Sequence, residues 1–371
     1  MVSQIIQQYH LLFSLMQSFS RTKFFSVLLF SFINSVFGEQ NYLSSQLRVQ
    51  ELFKKYENSL VRVKATRQDL VDGKTKRLLK MGSGFFVSKD GHILTTGVLQ
   101  NADRVWVEHE SKYFLTETIG TDSLCNLTLL KTLEKPEQFN YISFSSDQSD
   151  AQVGSFLLGI TCALEFEIGP TMGLLQSNES SFGSTLFPTK MLRTSLSLGP
   201  GEVGSPVFDL NGNFIGITYA ALPDLRSSFI LSAKSCARIR DELLLSGNVD
   251  YGWFGITVSR TINKQNGFNI EIKSVGDNTK LKKGDVILKI GNTEIFERGD
   301  IVESTFFARP GTFIEFLIKR ADKKLTVPVR VSSRPSKTRI GSSVKDEKKL
   351  SKPESSDLIE QFITPDNNKS N

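Results

Sequence analysis

Short apolar segments, separated by Gly, Asp and Asn, dominate the pattern of hydrophobic and polar positions along this chain. Such segments recur at the spacing that is typical of all-β barrels. In the first half of the chain they are Ile93–Thr96, Arg104–Val107, Lys112–Ile119 and Leu127–Lys131. Two longer stretches, Gln46–Tyr56 and Ala233–Ser246, have helical character instead. The pattern predicts a structure dominated by β-strands, with few helices.

The N-terminal stretch has the pattern of a targeting segment. Arg21 and Lys23 precede the apolar run Phe24–Phe37, which is too short to span a bilayer as a helix, and Gly38 offers a cleavage point. We predict a secretory signal peptide over residues 1–38, and therefore a secreted or periplasmic protein with no stable membrane span. An uncleaved anchor or a buried helix stays open as the alternative.

Composition excludes several classes of site. The three cysteines Cys125, Cys162 and Cys236 are widely spaced, and an odd number leaves at least one unpaired. Paired Cys or His spacing of the kind that zinc needs is absent, so we expect no metal and no cofactor. The formal net charge of +6 is shared among the leader, the tail and the remainder. It is too weak to argue for a nucleic-acid partner.

The C-terminal stretch, residues 332–371, is rich in Ser, Lys, Pro, Asp and Asn. Burial of its few apolar residues cannot cover the entropy of ordering, so we predict a disordered tail. The one apolar cluster in it is Leu358–Ile363. A short docking element and a chance cluster are the two interpretations of this segment.

The segment Ser195–Ile217 carries the most informative motif. It resembles the nucleophile segment of HtrA/Deg-type trypsin-like proteases, where a Pro-Gly-Asn-Ser-Gly-Gly-Pro turn holds the catalytic serine and a Gly-x-x-Ile-Gly-Ile strand follows. Here the turn Pro200–Pro206 has the sequence Pro-Gly-Glu-Val-Gly-Ser-Pro, with Val203 at the position of the serine. Valine has no proton to give up and no lone pair to attack with.

The other two triad positions of the resemblance are also replaced. The histidine of the family follows a Gly-x-Ile-Leu-Thr strand, but this chain runs from Gly97 to Val98 without it and is one residue shorter. The aspartate belongs in a Gly-Thr-Asp-x-x-x-Asp-Leu-Ala-Leu-Leu-Lys segment, and Asn126 stands there. Acyl transfer needs all three roles, so we predict no catalytic residues at these positions.

Glu202 adds an electrostatic objection. In the family, the amides at the positions of Gly201 and Val203 form the oxyanion hole. A carboxylate between them opposes the negative charge that such a hole stabilises, if it faces inward. The other interpretation is that Glu202 points to water.

Displaced residues offer no substitute chemistry. His92 lies on a predicted strand, more than ~15 Å along the extended chain from the site, and we interpret it as a surface residue. His109 is interpreted as a solvated hairpin residue. Ser205 lies two places beyond the nucleophile position, so its hydroxyl is not expected to point along the attack direction. Cys125 has no base in its sequence neighbourhood.

The resemblance covers residues 46–245 and implies a trypsin-like double β-barrel of six strands each. A second resemblance begins at Tyr251 and includes Leu281–Leu288, and looks like an HtrA-type PDZ domain over residues 250–331. It implies that the loop Trp253, Phe254, Gly255 and Ile256 binds peptides, with apolar side chains from Trp253, Phe254 and Ile256 forming a pocket for the last residue of the peptide. It also implies a helix over Asp300–Phe307 that flanks the peptide groove. The expected fold class is therefore all-β dominated, a trypsin-like double β-barrel followed by a PDZ domain.

Three functions remain open. The first is a secreted pseudoprotease that binds polypeptides with hydrophobic C-termini or unfolded segments, as an adaptor, a chaperone-like binder or a regulator. It acts alone, as a homo-trimer or in a hetero-assembly with active relatives. The second is an active serine-type endopeptidase with a rearranged site in envelope protein quality control. The third is a structural envelope scaffold. Loss of the whole triad argues against the second function, because triad residues act as a unit.

Overall fold

The computed structural model describes residues 44–71, 74–96, 102–147, 151–183, 185–263, 267–276 and 279–335. The predicted signal peptide, Val98 and the segment Leu358–Ile363 lie outside these residues. The chain divides into a unit that ends at Lys54 and a unit that starts at Lys55. Helix α1 covers residues 44–56, and within the first unit Arg48 pairs with Glu51 one turn later. None of the helices in the described ranges is long and apolar enough to cross a membrane.

Six antiparallel strands close into a first barrel. They are β1 (Leu60–Val71), β2 (Lys74–Phe86), β3 (His92–Thr96), β4 (Arg104–His109), β5 (Lys112–Asp122) and β6 (Leu127–Thr132). The strand order is β1-β2-β3-β6-β5-β4, and pairing of Val63 with Val107 belongs to the β1–β4 ladder that closes it. Alternation along β1 sends Val61, Val63 and Ala65 into the barrel.

A second barrel of six antiparallel strands follows. Its strands are β7 (Phe156–Thr161), β8 (Gly169–Phe182), β9 (Thr185–Thr194), β10 (Pro206–Asp209), β11 (Phe214–Leu222) and β12 (Ser227–Ser232). Their order is β10-β11-β12-β9-β8-β7, closed by β10 against β7. Helix α2 (Ala233–Ser246) begins after Ser232, whose hydroxyl accepts the Ser235 amide, and ends at Gly247 with φ +71°. The mainly β, trypsin-like double-barrel fold is thus confirmed.

The remaining elements form what we call the C-terminal sheet. They are β13 (Gly252–Trp253), β14 (Ile256–Asn263), β15 (Gly267–Val275), β16 (Val286–Ile290), β17 (Thr293–Glu294), α3 (Arg298–Phe307), β18 (Phe313–Arg320), β19 (Lys323–Arg330) and β20 (Ser332–Ser333). The main path is β14-β15-β16-β18-β19, and β13 pairs with β20. Asp285, before β16, holds Arg320 of β18 with two bonds of 2.6 and 2.7 Å.

Strand β20 corrects one expectation. The predicted tail starts at residue 332, but Ser332 and Ser333 pair with Trp253 and Gly252. The amide of Arg334 continues this contact by donating to Tyr251 O at 2.9 Å. The backbone of these residues has a partner far away in sequence, which their polar composition does not reveal.

Polar contacts hold the C-terminal sheet against the barrels. Tyr251 donates its hydroxyl to Asp122 of β5 at 2.7 Å. From α3, Asp300 pairs with Lys190 of β9 at 2.8 Å, and Glu303 accepts the Lys190 amide at 2.7 Å. Helix α3 is therefore fixed against the edge of the second barrel.

We expect the substitution Tyr251→Phe to lower the free energy of unfolding by about 1.5–3 kcal/mol, the net contribution of a hydrogen bond to a carboxylate, because Asp122 keeps only its two amide donors. The side chain is buried, and burial raises the pKa of Tyr251, so the hydroxyl stays protonated as a donor. Urea unfolding measures the change. Tyr113→Phe, at a side chain on β5 that is 65% exposed, is the control and should change stability by no more than about 0.5 kcal/mol. Equal effects of the two substitutions would contradict the importance of this contact.

Candidate functional site

The turn that carries Val203 has a defined backbone. The Glu202 amide donates to Gly199 O at 3.3 Å, and Gly201 at the third turn position has φ +86°, which is the geometry of a type II turn. Gly204 follows with φ +97° and donates its amide to Thr218 O of β11 at 2.9 Å. The glycines thus supply the left-handed conformations that lead into β10.

Ser83 of β2 ties this turn to the first barrel. Its amide donates to Val203 O at 3.0 Å, and its hydroxyl donates to Gly201 O at 2.8 Å. Thr95 of β3 donates its hydroxyl to Ser83 O at 2.7 Å. All the acceptors are backbone carbonyls, so the position of the turn does not depend on the side chain at 203.

The sites of Asn126 and Val203 lie around the end of β3. Thr96, the last residue of β3, pairs with Leu127, directly after Asn126. The Thr96 hydroxyl also donates to Thr218 O at 3.3 Å. The same carbonyl accepts the amide of Gly204, the residue after Val203. Val98 lies outside the described residues, so convergence of the three triad positions stays a prediction.

Asn126 and Asp122 have structural roles at the start of β6. Asn126 has φ +50°, a left-handed conformation that asparagine tolerates better than most residues. The buried Asp122 carboxylate accepts the Leu124 amide at 3.2 Å and the Cys125 amide at 2.9 Å, besides the Tyr251 hydroxyl. This aspartate therefore holds the turn and the C-terminal sheet rather than a histidine.

The Glu202 carboxylate is turned back onto the protein rather than toward water. One oxygen accepts the Thr161 hydroxyl of β7 at 2.6 Å, and the other accepts the Gly199 amide. Its negative charge therefore lies at the turn where an oxyanion hole needs positive partial charge. Of the two orientations expected for Glu202, these contacts favour the one toward the protein, and the residue as a whole is half-buried.

Neither described histidine is placed as a base for position 203. His92 Nδ1 lies 2.8 Å from the Ser88 hydroxyl, and burial lowers the pKa of this histidine. His109 was expected to be solvated, and this is wrong: its side chain is 4% exposed and Nε2 contacts Asn58 O at 3.1 Å. His109 lies two residues after the buried Val107 of β4, so strand alternation directs both inward.

The candidate nucleophiles next to the site are buried. Ser205 is fully buried, and its hydroxyl has no hydrogen-bond partner within the described part of the chain. The three cysteines are free thiols. Burial raises the pKa of Cys125, Cys162 and Cys236, so each thiol stays protonated near neutral pH. No group of acidic, His or Cys side chains in the described ranges could hold a metal ion.

A groove of about 340 Å³ lies beside the loop that the sequence singled out for peptide binding. Strand β14 forms one side, because it pairs with β15 along one edge and with no described strand along the other. Helix α3 forms the opposite side through Ile301 and Val302. The second barrel adds Leu186 and Pro188 of β9. The arrangement offers a free strand edge next to apolar side chains.

The structure brings Trp253, Phe254, Gly255 and Ile256 together at one end of this groove. Gly255 has φ +65°, and its carbonyl accepts the Gly276 amide at 2.7 Å. The amides of Phe254 and Gly255 have no acceptor among the residues that the structure describes. This end of the groove therefore holds unpaired donors.

The side chains of the loop differ from expectation at one position. The Phe254 ring was expected to supply an apolar pocket, but it is 5% exposed and packs edge-on against Phe316, 5.1 Å away, in the core of the C-terminal sheet. Phe254 can therefore offer its backbone but not its ring. Trp253 is 38% exposed, and Ile256 is half-buried.

Sequence reasoning missed two cations at the groove. Arg298 is the first residue of α3, and Arg334 follows β20; both are exposed and line the groove. The helix expected at Asp300–Phe307 starts two residues earlier, which includes Arg298. Arg334 reaches the groove only through the pairing of β20 with β13, for which the sequence offers no signal.

We expect Gly204→Ala to be strongly destabilising, because an added Cβ would lie 2.1 Å from Ser83 O as well as meeting a φ of +97°. Gly154→Ala is the matched control, since Gly154 has φ +92° and nothing lies within 4 Å of its added Cβ. The control isolates the backbone cost of about 1–2 kcal/mol. Denaturant unfolding should give a loss at Gly204 that is larger by at least about 2 kcal/mol, the scale of a buried steric clash. A loss at Gly204 no larger than at Gly154 would show that the Ser83 contact is not tight.

Comparisons with known proteins agree with this architecture. Residues 82–217 match the family model of the trypsin-like peptidase domain. A "probable periplasmic serine endoprotease DegP-like" of Pseudomonas fulva is 28% identical over 283 residues, 71% of this chain and 58% of the relative. One of the same description from Bartonella henselae is 25% identical over 313 residues, 79% of this chain and 60% of the relative. The chain thus spans about three fifths of the length of these relatives.

Solved structures show the same fold. The HtrA-type protease AlgW with a tripeptide superimposes with a TM-score of 0.65 at 20% identity, covering 78% of this chain and 99% of that one. A serine endoprotease from Yersinia pestis gives a TM-score of 0.56 at 20% identity, covering 77% and 98%. Together with the sequence matches, they support an HtrA/DegP-like, trypsin-like serine protease domain in this chain.

Proposed function

We propose that this protein is an exported, catalytically silent HtrA-like protein that binds the C-termini or unfolded segments of other polypeptides. The observation that carries the proposal is Val203 in the place of the nucleophile, on a turn whose backbone is held by Ser83 and Thr218. The protein keeps the binding architecture and acts as an adaptor, a chaperone-like binder or a regulator of active relatives.

Three further features support catalytic silence. The Glu202 carboxylate lies against the turn, where it opposes a developing oxyanion. Ser205 is buried, and the rings of the two described histidines are engaged elsewhere. A displaced nucleophile needs a base within hydrogen-bond reach, and the contacts of these residues supply none.

The peptide site that we propose is a PDZ domain made by the C-terminal sheet. A bound peptide adds as a strand to the free edge of β14, and its side chains enter the groove against α3. The amides of Phe254, Gly255 and Ile256 receive the terminal carboxylate. Arg298 and Arg334 add positive charge at the same groove. Hydrophobic last residues suit the exposed Trp253 and the half-buried Ile256.

The competing candidate is an active endopeptidase with a rearranged site. The relatives described as probable periplasmic serine endoproteases favour it. Those names also support export to the periplasm, in line with the predicted signal peptide. Assembly into a homo-trimer or with active relatives is also part of the proposal.

A fluorophosphonate probe separates the two candidates. The native chain should remain unlabelled, because the probe requires an activated serine hydroxyl. Val203→Ser should also remain unlabelled, since a hydroxyl without a base is not a nucleophile of useful strength. An intact trypsin-like protease in parallel is the positive control. Labelling of the native chain that disappears in Ser205→Ala would establish the endopeptidase and overturn catalytic silence.

Peptide capture is tested with pairs of peptides that differ only at the C-terminus. A hydrophobic peptide with a free carboxylate should bind the full chain at micromolar strength by calorimetry. Amidation of the same peptide should weaken binding by about 1.5–3 kcal/mol, the scale of charge-assisted hydrogen bonds. Equal affinity for the acid and the amide would exclude capture of the carboxylate by the loop.

A further inference from the structure

We propose that the segment Leu358–Ile363 of the same chain binds in the groove between β14 and α3 as an added strand, in competition with other polypeptides. The inference rests on the proposed function, since it uses the same groove. The one apolar segment of the tail would then have a role, because its binding blocks the groove against other polypeptides; we call this self-occlusion.

The groove can accept an internal segment as well as a C-terminus. Strand addition uses the backbone of β14, whose second edge pairs with no strand in the described ranges. Side chains of the added strand then meet Trp253, Val258, Ile301 and Val302. A free carboxylate strengthens such binding but is not required for the backbone ladder.

The described part of the chain ends at Pro335, directly after a residue that lines this groove. Pairing of β20 with β13 and the bond from the Arg334 amide to Tyr251 O bring Arg334 into the groove lining. The 22 residues 336–357 lie between Pro335 and Leu358. A chain of that length reaches up to ~75 Å when extended, far more than the dimensions of a 340 Å³ groove. The segment is therefore tethered within reach of the groove.

The chemistry of the segment matches the groove. In an extended conformation, the segment would place apolar side chains on both faces, and it contains no Gly or Pro; these residues are Leu358, Ile359, Phe362 and Ile363. The carboxylates of Glu354, Asp357, Glu360 and Asp366 lie within or beside it. They complement the two exposed cations of the groove, Arg298 and Arg334.

Attachment favours this segment over the same segment of another copy. A tethered ligand acts at an effective concentration on the order of 1 mM. If the segment alone binds with a dissociation constant on the order of 100 μM, occupation in cis weakens the binding of an external peptide about tenfold. Peptides with a free hydrophobic C-terminus still displace it, because they add the carboxylate contacts that an internal segment lacks.

The test uses the full chain and a short fluorescent peptide with Phe at its free C-terminus, followed by anisotropy. The double variant Ile359→Ser, Phe362→Ser removes apolar side chains from both faces of the segment. Val344→Ser, Leu350→Ser is the matched control, because it removes two apolar side chains from the same tail outside the segment. We expect the segment variant to bind the probe about tenfold more tightly than the native chain, and the control to bind like the native chain.

The possible results separate this inference from the proposed function. Tight and equal binding by all three proteins overturns self-occlusion and leaves the peptide groove standing. Absence of binding by all three, the segment variant included, overturns the proposed groove and the inference with it. A tenfold difference in affinity that persists when the protein is diluted supports occupation of the groove in cis. A difference that disappears on dilution means that the segment binds the groove of a second copy, and this result overturns the inference. A synthetic peptide of residues 354–366 must also displace the probe from the segment variant; if it does not, the inference fails.

Discussion

Ser83 is the residue on which the arrangement of the two barrels at the candidate site depends. Its amide and hydroxyl hold the carbonyls of Val203 and Gly201, and its own carbonyl is held by Thr95. Gly204 makes this approach possible, since any Cβ there would lie 2.1 Å from Ser83 O. Because only backbone acceptors are used, the turn keeps its shape whatever side chain stands at 203. The fold can therefore lose its nucleophile at little structural cost.

The same separation of scaffold from chemistry applies to the Asp122–Asn126 turn. The Asp122 carboxylate accepts two amides of its own turn and the Tyr251 hydroxyl, so it links the first barrel to the C-terminal sheet. Asn126 suits the left-handed backbone that this turn requires. The contact of Tyr251 keeps the C-terminal sheet against the first barrel, and the contact of Lys190 with Asp300 keeps α3 against the second barrel. The groove is thus formed by the second barrel together with the C-terminal sheet, and not by that sheet alone.

The sequence predicted the parts that depend on local patterns and missed those that depend on distant pairing. Apolar segments between turn residues were enough to predict a chain dominated by β-strands, and helical periodicity predicted α2, whereas the two barrels of six strands were implied by the resemblance to HtrA/Deg-type proteases. His109 was misjudged because its charged neighbours outweighed the alternation with Val107, a signal that was present. The Phe254 ring lies in the core because it meets Phe316, and Arg334 lines the groove because β20 pairs with β13. In both cases the partner is distant in sequence, so the local sequence pattern does not predict the contact.

On the proposed function, the absence of catalysis changes what the binding energy of the protein accomplishes. In a protease, interactions with the substrate lower the barrier only as far as they strengthen in the transition state. On the proposed function no transition state is reached, so the affinity of the groove determines only the fraction of protein molecules that hold a polypeptide. Occupancy without turnover ends only by dissociation or displacement. An internal competitor that emerges beside Arg334 would then set the threshold that a polypeptide has to exceed, which is a form of selectivity that requires no chemistry at Val203.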